Sequence, residues 1–110
     1  MKIVKAILCL FFLYMSSAGA STTWNGKMIS QLQPDHPSVN CFYFTLDGVS
    51  EADPIRPGVA WFAVDRDVHP GAKDLYAALL AARLSGSSIT AVNTSGGLAC
   101  GYAAVYYVIF

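Results

Sequence analysis

Residues 72–84 read AKDLYAALLAARL, a run of strong helix formers in a chain whose other regular segments favour strands. Three strand-like segments precede this run and two follow it. The predicted strands cover residues 24–33, 41–47, 59–64, 88–93 and 100–110. Three strands, one helix and two further strands are the element order of the OB fold, a five-stranded Greek-key barrel. The sequence therefore predicts an all-β fold with one helix between strands 3 and 4.

Two of the predicted strands differ in their hydrophobic pattern. In the second strand, apolar Phe42, Phe44 and Leu46 alternate with a mixed set, Cys41, Tyr43 and Thr45. That alternation is typical of a barrel strand with one buried face. In the last strand both alternating sets are apolar or aromatic: Tyr102, Ala104, Tyr106 and Val108 on one side, and Ala103, Val105, Tyr107 and Ile109 on the other. Such a strand is buried on both sides or lies against another subunit.

The predicted helix lacks a continuous polar face. Its charged residues are Lys73, Asp74 and Arg83, which lie near its two ends, and the remainder is mostly alanine and leucine. A helix on the surface of a small barrel normally presents a polar stripe to water. Two interpretations remain open: the alanine methyl groups are exposed, or this face packs against a neighbouring subunit.

The N-terminal residues have the three parts of a signal peptide. Lys2 and Lys5 are basic, residues 7–15 are uninterrupted apolar side chains, and residues 18–20 are small. We therefore predict a signal peptide over residues 1–20 and one OB-fold domain over residues 21–110, in a secreted or periplasmic protein. The apolar run is short for a membrane span and no second run follows, so we predict no membrane span.

The charge and the cysteine content indicate which class of partner is excluded and in which compartment the protein folds. Residues 21–110 hold five basic and seven acidic residues, a net charge of −2 with both histidines neutral. This balance argues against nucleic acid as a partner, because such binders cluster lysine and arginine. Without Cys9, the only two cysteines are Cys41 and Cys100, which predicts a disulfide in an oxidising compartment. The alternative is two buried free thiols.

Several segments resemble the binding (B) subunits of the subtilase cytotoxin and pertussis-like toxin family. The resemblance rests on residues 26–32, on the aromatic strand 42–48, and on Leu75-Tyr76 and Leu79-Leu80 followed by Gly86. It covers most of residues 21–110 in the same order. It implies an OB-fold subunit that forms a ring of five, binds sialylated glycans on host cells, and carries a separate enzymatic A subunit. The helix without a polar face fits the helices that line the centre of such a ring.

The candidate ligand-binding residues lie in two segments. Trp24, Asn25 and Lys27 belong to the first strand, and Asn25 stands where the toxin family has a glycan-contacting serine. Asn93 and Thr94 are predicted to begin the loop between strands 4 and 5. These segments can meet in an OB barrel and form a shallow polar site with an aromatic wall. The alternative is that Trp24 is a core plug and the polar residues belong to an ordinary loop.

The sequence shows no catalytic constellation. His36 and His69 each stand beside a proline, and neither has a cysteine or a second histidine at metal spacing. Asp65 and Asp67 with His69 could hold a cation, but such a charge cluster at a strand end is more often a solvated loop. We predict a protein that is not an enzyme and that needs no cofactor or metal. Two functions remain open: a secreted glycan-binding subunit that assembles as a homopentamer, and an exported protein-interaction or enzyme-inhibitor module without a sugar ligand.

Overall fold

The computed structural model describes residues 21–34 and 39–110. The predicted signal peptide and His36 lie outside these residues. The regular elements are β1 (Thr23–Gln33), β2 (Cys41–Leu46), β3 (Phe62–Asp65), α1 (Ala72–Ser85), β4 (Ser88–Ala99) and β5 (Tyr102–Ile109).

The five strands close into a barrel in the order β1-β2-β3-β5-β4, and β4 pairs back to β1. All neighbouring strands are antiparallel except β3 and β5, which are parallel. The helix lies between strands 3 and 4 in the chain, as predicted. The predicted OB-type barrel with one helix is therefore confirmed.

The alternation of β2 separates two apolar clusters. Phe42, Phe44 and Leu46 point into the barrel and belong to the main core. The rings of Phe44 and Phe62 stack there with centroids 5.1 Å apart. Cys41 and Tyr43, on the other side of the strand, belong to a second cluster outside the barrel. The sequence pattern of this strand thus predicted both of its faces correctly.

The helix α1 packs one face against the barrel and leaves the other exposed. Its buried residues are Ala72, Leu75, Leu79 and Ala82. Gly86 ends the helix in the left-handed conformation, with φ of +70°, and its N–H caps the last turn. The exposed side carries Ala77, Leu80, Ala81 and Leu84, and Leu84 is 75% exposed. We call these four residues the outer helix face.

A disulfide joins Cys41 to Cys100, as the sequence predicts. The two residues are 59 positions apart, with Cα atoms 6.6 Å apart. The bond ties the turn between β4 and β5 to the start of β2, beside the second cluster. Within this cluster, burial and then the neighbouring Tyr102 raise the pKa of the Tyr43 phenol above its ordinary value.

Two predicted strand boundaries are wrong by three residues or more. The third strand begins at Phe62 rather than at residue 59, because residues 54–58 turn and residues 59–61 are not paired. The fourth strand continues to Ala99 rather than ending at residue 93. It continues because Leu98 and Ala99 pair with the start of β5. The glycines at 96 and 97 therefore lie inside a strand rather than in a loop.

Candidate functional site

Trp24 faces the interior of the barrel. It pairs with Val92, a core residue, and its own side chain is half-buried against the core. Its indole N–H donates a 2.8 Å hydrogen bond to the carbonyl of Ala52, in the loop between β2 and β3. Trp24 therefore packs against the core, as the alternative interpretation of this residue predicts. Its hydrogen bond also holds the loop between β2 and β3 in place.

Thr94 also points inward, and its predicted position in a loop is wrong. It lies within β4, pairs with the core residue Val105, and is fully buried. Its hydroxyl accepts a 3.0 Å hydrogen bond from the Thr22 N–H and donates to the carboxylate of Asp53. That carboxylate is itself only 2% exposed. The Thr94 side chain is therefore part of the barrel interior and does not contact a ligand on the surface.

Asn25 and Asn93, by contrast, belong to the outer face of the barrel, where Asn25 is exposed and Asn93 is only 7% exposed. Asn25 directly follows the inward-facing Trp24, and Asn93 directly precedes the inward-facing Thr94. Adjacent side chains of a strand point to opposite faces, so both amides point outward. The amide Nδ2 of Asn93 donates a 2.8 Å hydrogen bond to the hydroxyl of Thr23, its partner on β1. Asn93 too was expected at the start of a loop, and it is a strand residue instead.

The cross-strand register extends this face onto β5. Asn93 lies between Thr23 on β1 and Tyr107 on β5. The next row places Ala91 between its two partners, Asn25 and Ile109. Together these two rows form what we call the Tyr107 surface, made of Thr23, Asn25, Ala91, Asn93, Tyr107 and Ile109.

A β-bulge places a second tyrosine beside this surface. Asn93 pairs with Tyr107 but Thr94 pairs with Val105, so Tyr106 is an extra residue on β5. Val105 and Val108 both contact the core although they are three positions apart, which strict alternation would not allow. Tyr106 and Tyr107 consequently both lie outside, 66% and 41% exposed, with ring centroids 5.6 Å apart. The strict alternation predicted for the last strand is wrong at this point.

Lys27 does not share the face of Asn25. It is half-buried and pairs with Ile89, a core residue, so it lies on the inward side of β1. The change of face occurs at Gly26, whose φ of +63° interrupts the alternation. Of the five candidate residues, the structure thus brings Asn25 and Asn93 together on one outer face and directs Trp24, Lys27 and Thr94 inward.

The Tyr107 surface presents polar groups that the protein itself leaves available. No residue of the described ranges forms a hydrogen bond with the side-chain amide of Asn25 or with the hydroxyls of Tyr106 and Tyr107. An amide supplies donors and an acceptor, and a phenol supplies one of each. Sequence reasoning missed both tyrosines as site residues, although the doublet of bulky aromatics in a strand was a usable signal.

A cleft of about 560 Å³ lies on the other side of Tyr106. Most of its wall is apolar, including Val68, Leu98 and Ala104, and its polar lining comes from Asp65, His69 and Ser95. The size is that of pockets that bind small ligands or single side chains. Tyr106 therefore lines the cleft and also contacts Tyr107 of the neighbouring surface.

Asp65 and the disulfide form the one group of potential metal ligands found among residues 21–34 and 39–110. The carboxylate oxygen and the sulfur atoms of Cys41 and Cys100 lie within 4.8 Å of one another. A cysteine binds metal as a thiolate, and both sulfurs are here bonded to each other. With the disulfide formed, this group offers a metal only one carboxylate.

No protein family, curated protein or solved structure matches this chain. Within the described ranges, no helix has the length and apolar character needed to cross a membrane. The candidate site therefore rests on the geometry of the barrel alone.

Proposed function

We propose that this protein is an exported glycan-binding subunit and that the Tyr107 surface is its sugar site. One observation carries the proposal: the register aligns Thr23, Asn93 and Tyr107 across three strands on a single outer row. An exposed aromatic ring thus stands directly beside an oriented amide. The amide of Asn25 lies in the neighbouring row.

This combination suits the chemistry of a sugar. One face of a pyranose ring carries C–H groups that stack on an aromatic side chain, while its hydroxyl groups need donors and acceptors nearby. Tyr107 supplies the ring, and Asn25 and Asn93 supply the amides. A carboxylate on the sugar can accept from the Asn25 Nδ2, which is consistent with a sialylated glycan. The resemblance to toxin binding subunits, in which this position contacts glycan, supports the same assignment.

We also propose that the subunits assemble through the outer helix face. Leu80 and Leu84 are exposed there at 38% and 75%, next to two exposed alanines. Apolar side chains grouped on one helix face favour burial against a partner. Five copies in a ring, the number implied by the resemblance, would repeat a weak sugar site and raise its avidity. A separate enzymatic A subunit seated on such a ring is part of the proposal.

The disulfide supports export. Bonds of this type persist in oxidising compartments and are rare where glutathione keeps thiols reduced. Cys41 and Cys100 are bonded, which agrees with the secreted or periplasmic location that the predicted signal peptide implies. No part of the proposal needs catalysis or a cofactor.

A second candidate function is a protein-interaction or enzyme-inhibitor module without a sugar ligand. The observation that favours it is the apolar cleft beside Tyr106, which is of a size to receive a side chain. The two candidates use different surfaces, so variants can separate them.

A glycan array probed with the labelled protein tests the first candidate. We expect binding to a subset of sialylated or neutral oligosaccharides, and loss of that binding in Tyr107→Ala at unchanged melting temperature and mass. Failure of the folded protein to bind any oligosaccharide on the array would favour the second candidate.

A further inference from the structure

The barrel leaves one edge of β5 without a strand partner. β3 pairs with β5 only at Phe62 with Ala103 and at Ala63 with Ala104. Beyond Ala104, no residue of the described chain pairs with the edge of β5 that faces β3. An unpaired edge next to an apolar cleft is the arrangement that binds extended peptides by strand addition.

At the beginning of this edge, the side chain of His69 forms the hydrogen bond to β5 that a neighbouring strand would otherwise form. Its Nδ1 accepts a 3.2 Å hydrogen bond from the Gly71 N–H, so the proton of the neutral ring is on Nε2. Nε2 in turn lies 3.1 Å from the carbonyl oxygen of Tyr106 and donates to it. The imidazole therefore occupies the carbonyl oxygen of Tyr106, and an added strand would pair with β5 from Tyr107 onward.

The residues that line the cleft determine which side chains of a partner it favours. Its lining contains the carboxylate of Asp65 and neither lysine nor arginine. One oxygen of this carboxylate accepts a hydrogen bond of 2.9 Å from the Asp67 N–H. The apolar part of the cleft, formed in part by Leu98 and Val68, favours an aliphatic side chain, and Asp65 favours a neighbouring cation.

We propose that the free edge of β5 and the cleft form a docking site for an extended segment of a partner protein, in which an aliphatic residue is followed two positions later by a basic one. Side chains two positions apart lie on the same face of a strand. The aliphatic side chain then fills the cleft while the basic side chain reaches Asp65. The main chain of the segment pairs with β5 from Tyr107 to Ile109. This site uses the main-chain edge of β5 and the cleft rather than the side chains of the Tyr107 surface. It rests on the second candidate function, a protein-interaction module, and does not depend on glycan binding.

The probe is a capped five-residue peptide of sequence TLTKT, titrated into the isotope-labelled protein and followed by NMR. We expect saturable shifts of the backbone amides of residues 65–69 and 105–109, with a dissociation constant on the order of 1 mM for so short a peptide. A peptide in which glutamate replaces the lysine, TLTET, should bind more weakly. Equal binding of the two peptides, or shifts confined to α1, would overturn the proposal.

Two variants and one control test the contacts. Asp65→Asn keeps the oxygen that accepts from Asp67 and removes the charge, so it should weaken TLTKT by about two- to fivefold, the range of an exposed ion pair, without weakening TLTET. Leu98→Gln, at a site 54% exposed and so tolerant of the change, removes apolar contact without adding a charge and should weaken TLTKT by roughly tenfold. Asp74→Asn, an exposed carboxylate in the first turn of α1, is the matched control and should leave binding unchanged.

Light scattering distinguishes a partner protein from a second copy of this chain. If Leu98→Gln lowers the mass of the assembly and TLTKT does not bind, the edge is covered by another copy and the proposal is wrong. If TLTKT binds while the mass of the wild-type assembly stays constant, the edge is free for a partner.

Discussion

The amide of Asn93 and the hydroxyl of Thr23 are joined by a 2.8 Å hydrogen bond across β4 and β1, between residues 70 positions apart in the chain. The bond uses Nδ2 as donor and so fixes which way the amide is turned. The oxygen Oδ1 receives no hydrogen bond from the described part of the chain. Asn93 is only 7% exposed, and in this orientation Oδ1 is the acceptor that a ligand on the Tyr107 surface would use.

Thr23→Val should therefore weaken both the fold and sugar binding. Loss of a typical hydrogen bond lowers the free energy of unfolding by about 0.5–1.5 kcal/mol, measured by urea denaturation. The freed amide should also bind glycan less tightly. Thr90→Val, at an exposed position of β4, is the control and should change stability by less than about 0.5 kcal/mol. Equal stability of the two variants would contradict the role of this bond.

Thr94 and Asp53 should contribute to stability rather than to binding. Thr94→Val removes the hydroxyl that donates to the buried Asp53 carboxylate, and the free energy of unfolding should fall by about 2–3 kcal/mol. Thr94→Ser keeps the hydroxyl, so its free energy of unfolding should fall by much less. The folded fraction of each variant should bind glycan as the wild type does. A selective loss of glycan affinity at full stability would instead place Thr94 in the site.

The Cys41–Cys100 bond should be found in protein isolated from its native host. Without reduction, mass spectrometry should show the protein two hydrogens lighter than its reduced form. Because the bond closes a loop of 59 residues, reduction should lower the free energy of unfolding by roughly 4 kcal/mol and the melting temperature with it. Detection of two free thiols in the exported protein would contradict the structure at this point.

The outer helix face should hold the assembly together. Ala81→Glu places a charge among exposed apolar residues, and it should reduce the mass measured by light scattering while the barrel stays folded. Thr90→Glu, an exposed position on β4, is the control and should leave the mass unchanged. A wild-type protein that is monomeric at micromolar concentration would refute the proposed ring.

The parts of the fold that follow from local pattern were predictable. The helix 72–84 differs from α1 by one residue, because alanine and leucine content and a terminal glycine determine a helix locally. The alternation of residues 41–46 likewise fixed both faces of β2. The disulfide followed from the even cysteine count once the predicted signal peptide was set aside.

The faces of the site residues were not predictable, because two local irregularities shift the alternation. Gly26 turns β1, so that Trp24 and Ile29 both contact the core although five positions separate them. The extra residue Tyr106 does the same in β5. Such irregularities depend on pairing with neighbouring strands, which a single sequence does not reveal. The end of β4 was missed for the same reason, since its glycines indicate a loop until their partners on β5 are known.

The most direct test of the central claim, that the Tyr107 surface binds glycan, is calorimetric titration of the strongest ligand from the array into three proteins. These are the wild type, Asn25→Trp, and, as a control, Ser87→Trp, at the exposed residue that directly precedes β4. Asn25 is exposed and tryptophan is tolerated in strands, so the fold should survive. We predict that Asn25→Trp binds at least tenfold more weakly at unchanged mass and melting temperature, while Ser87→Trp binds as the wild type does. Full glycan affinity in folded Asn25→Trp would contradict the account.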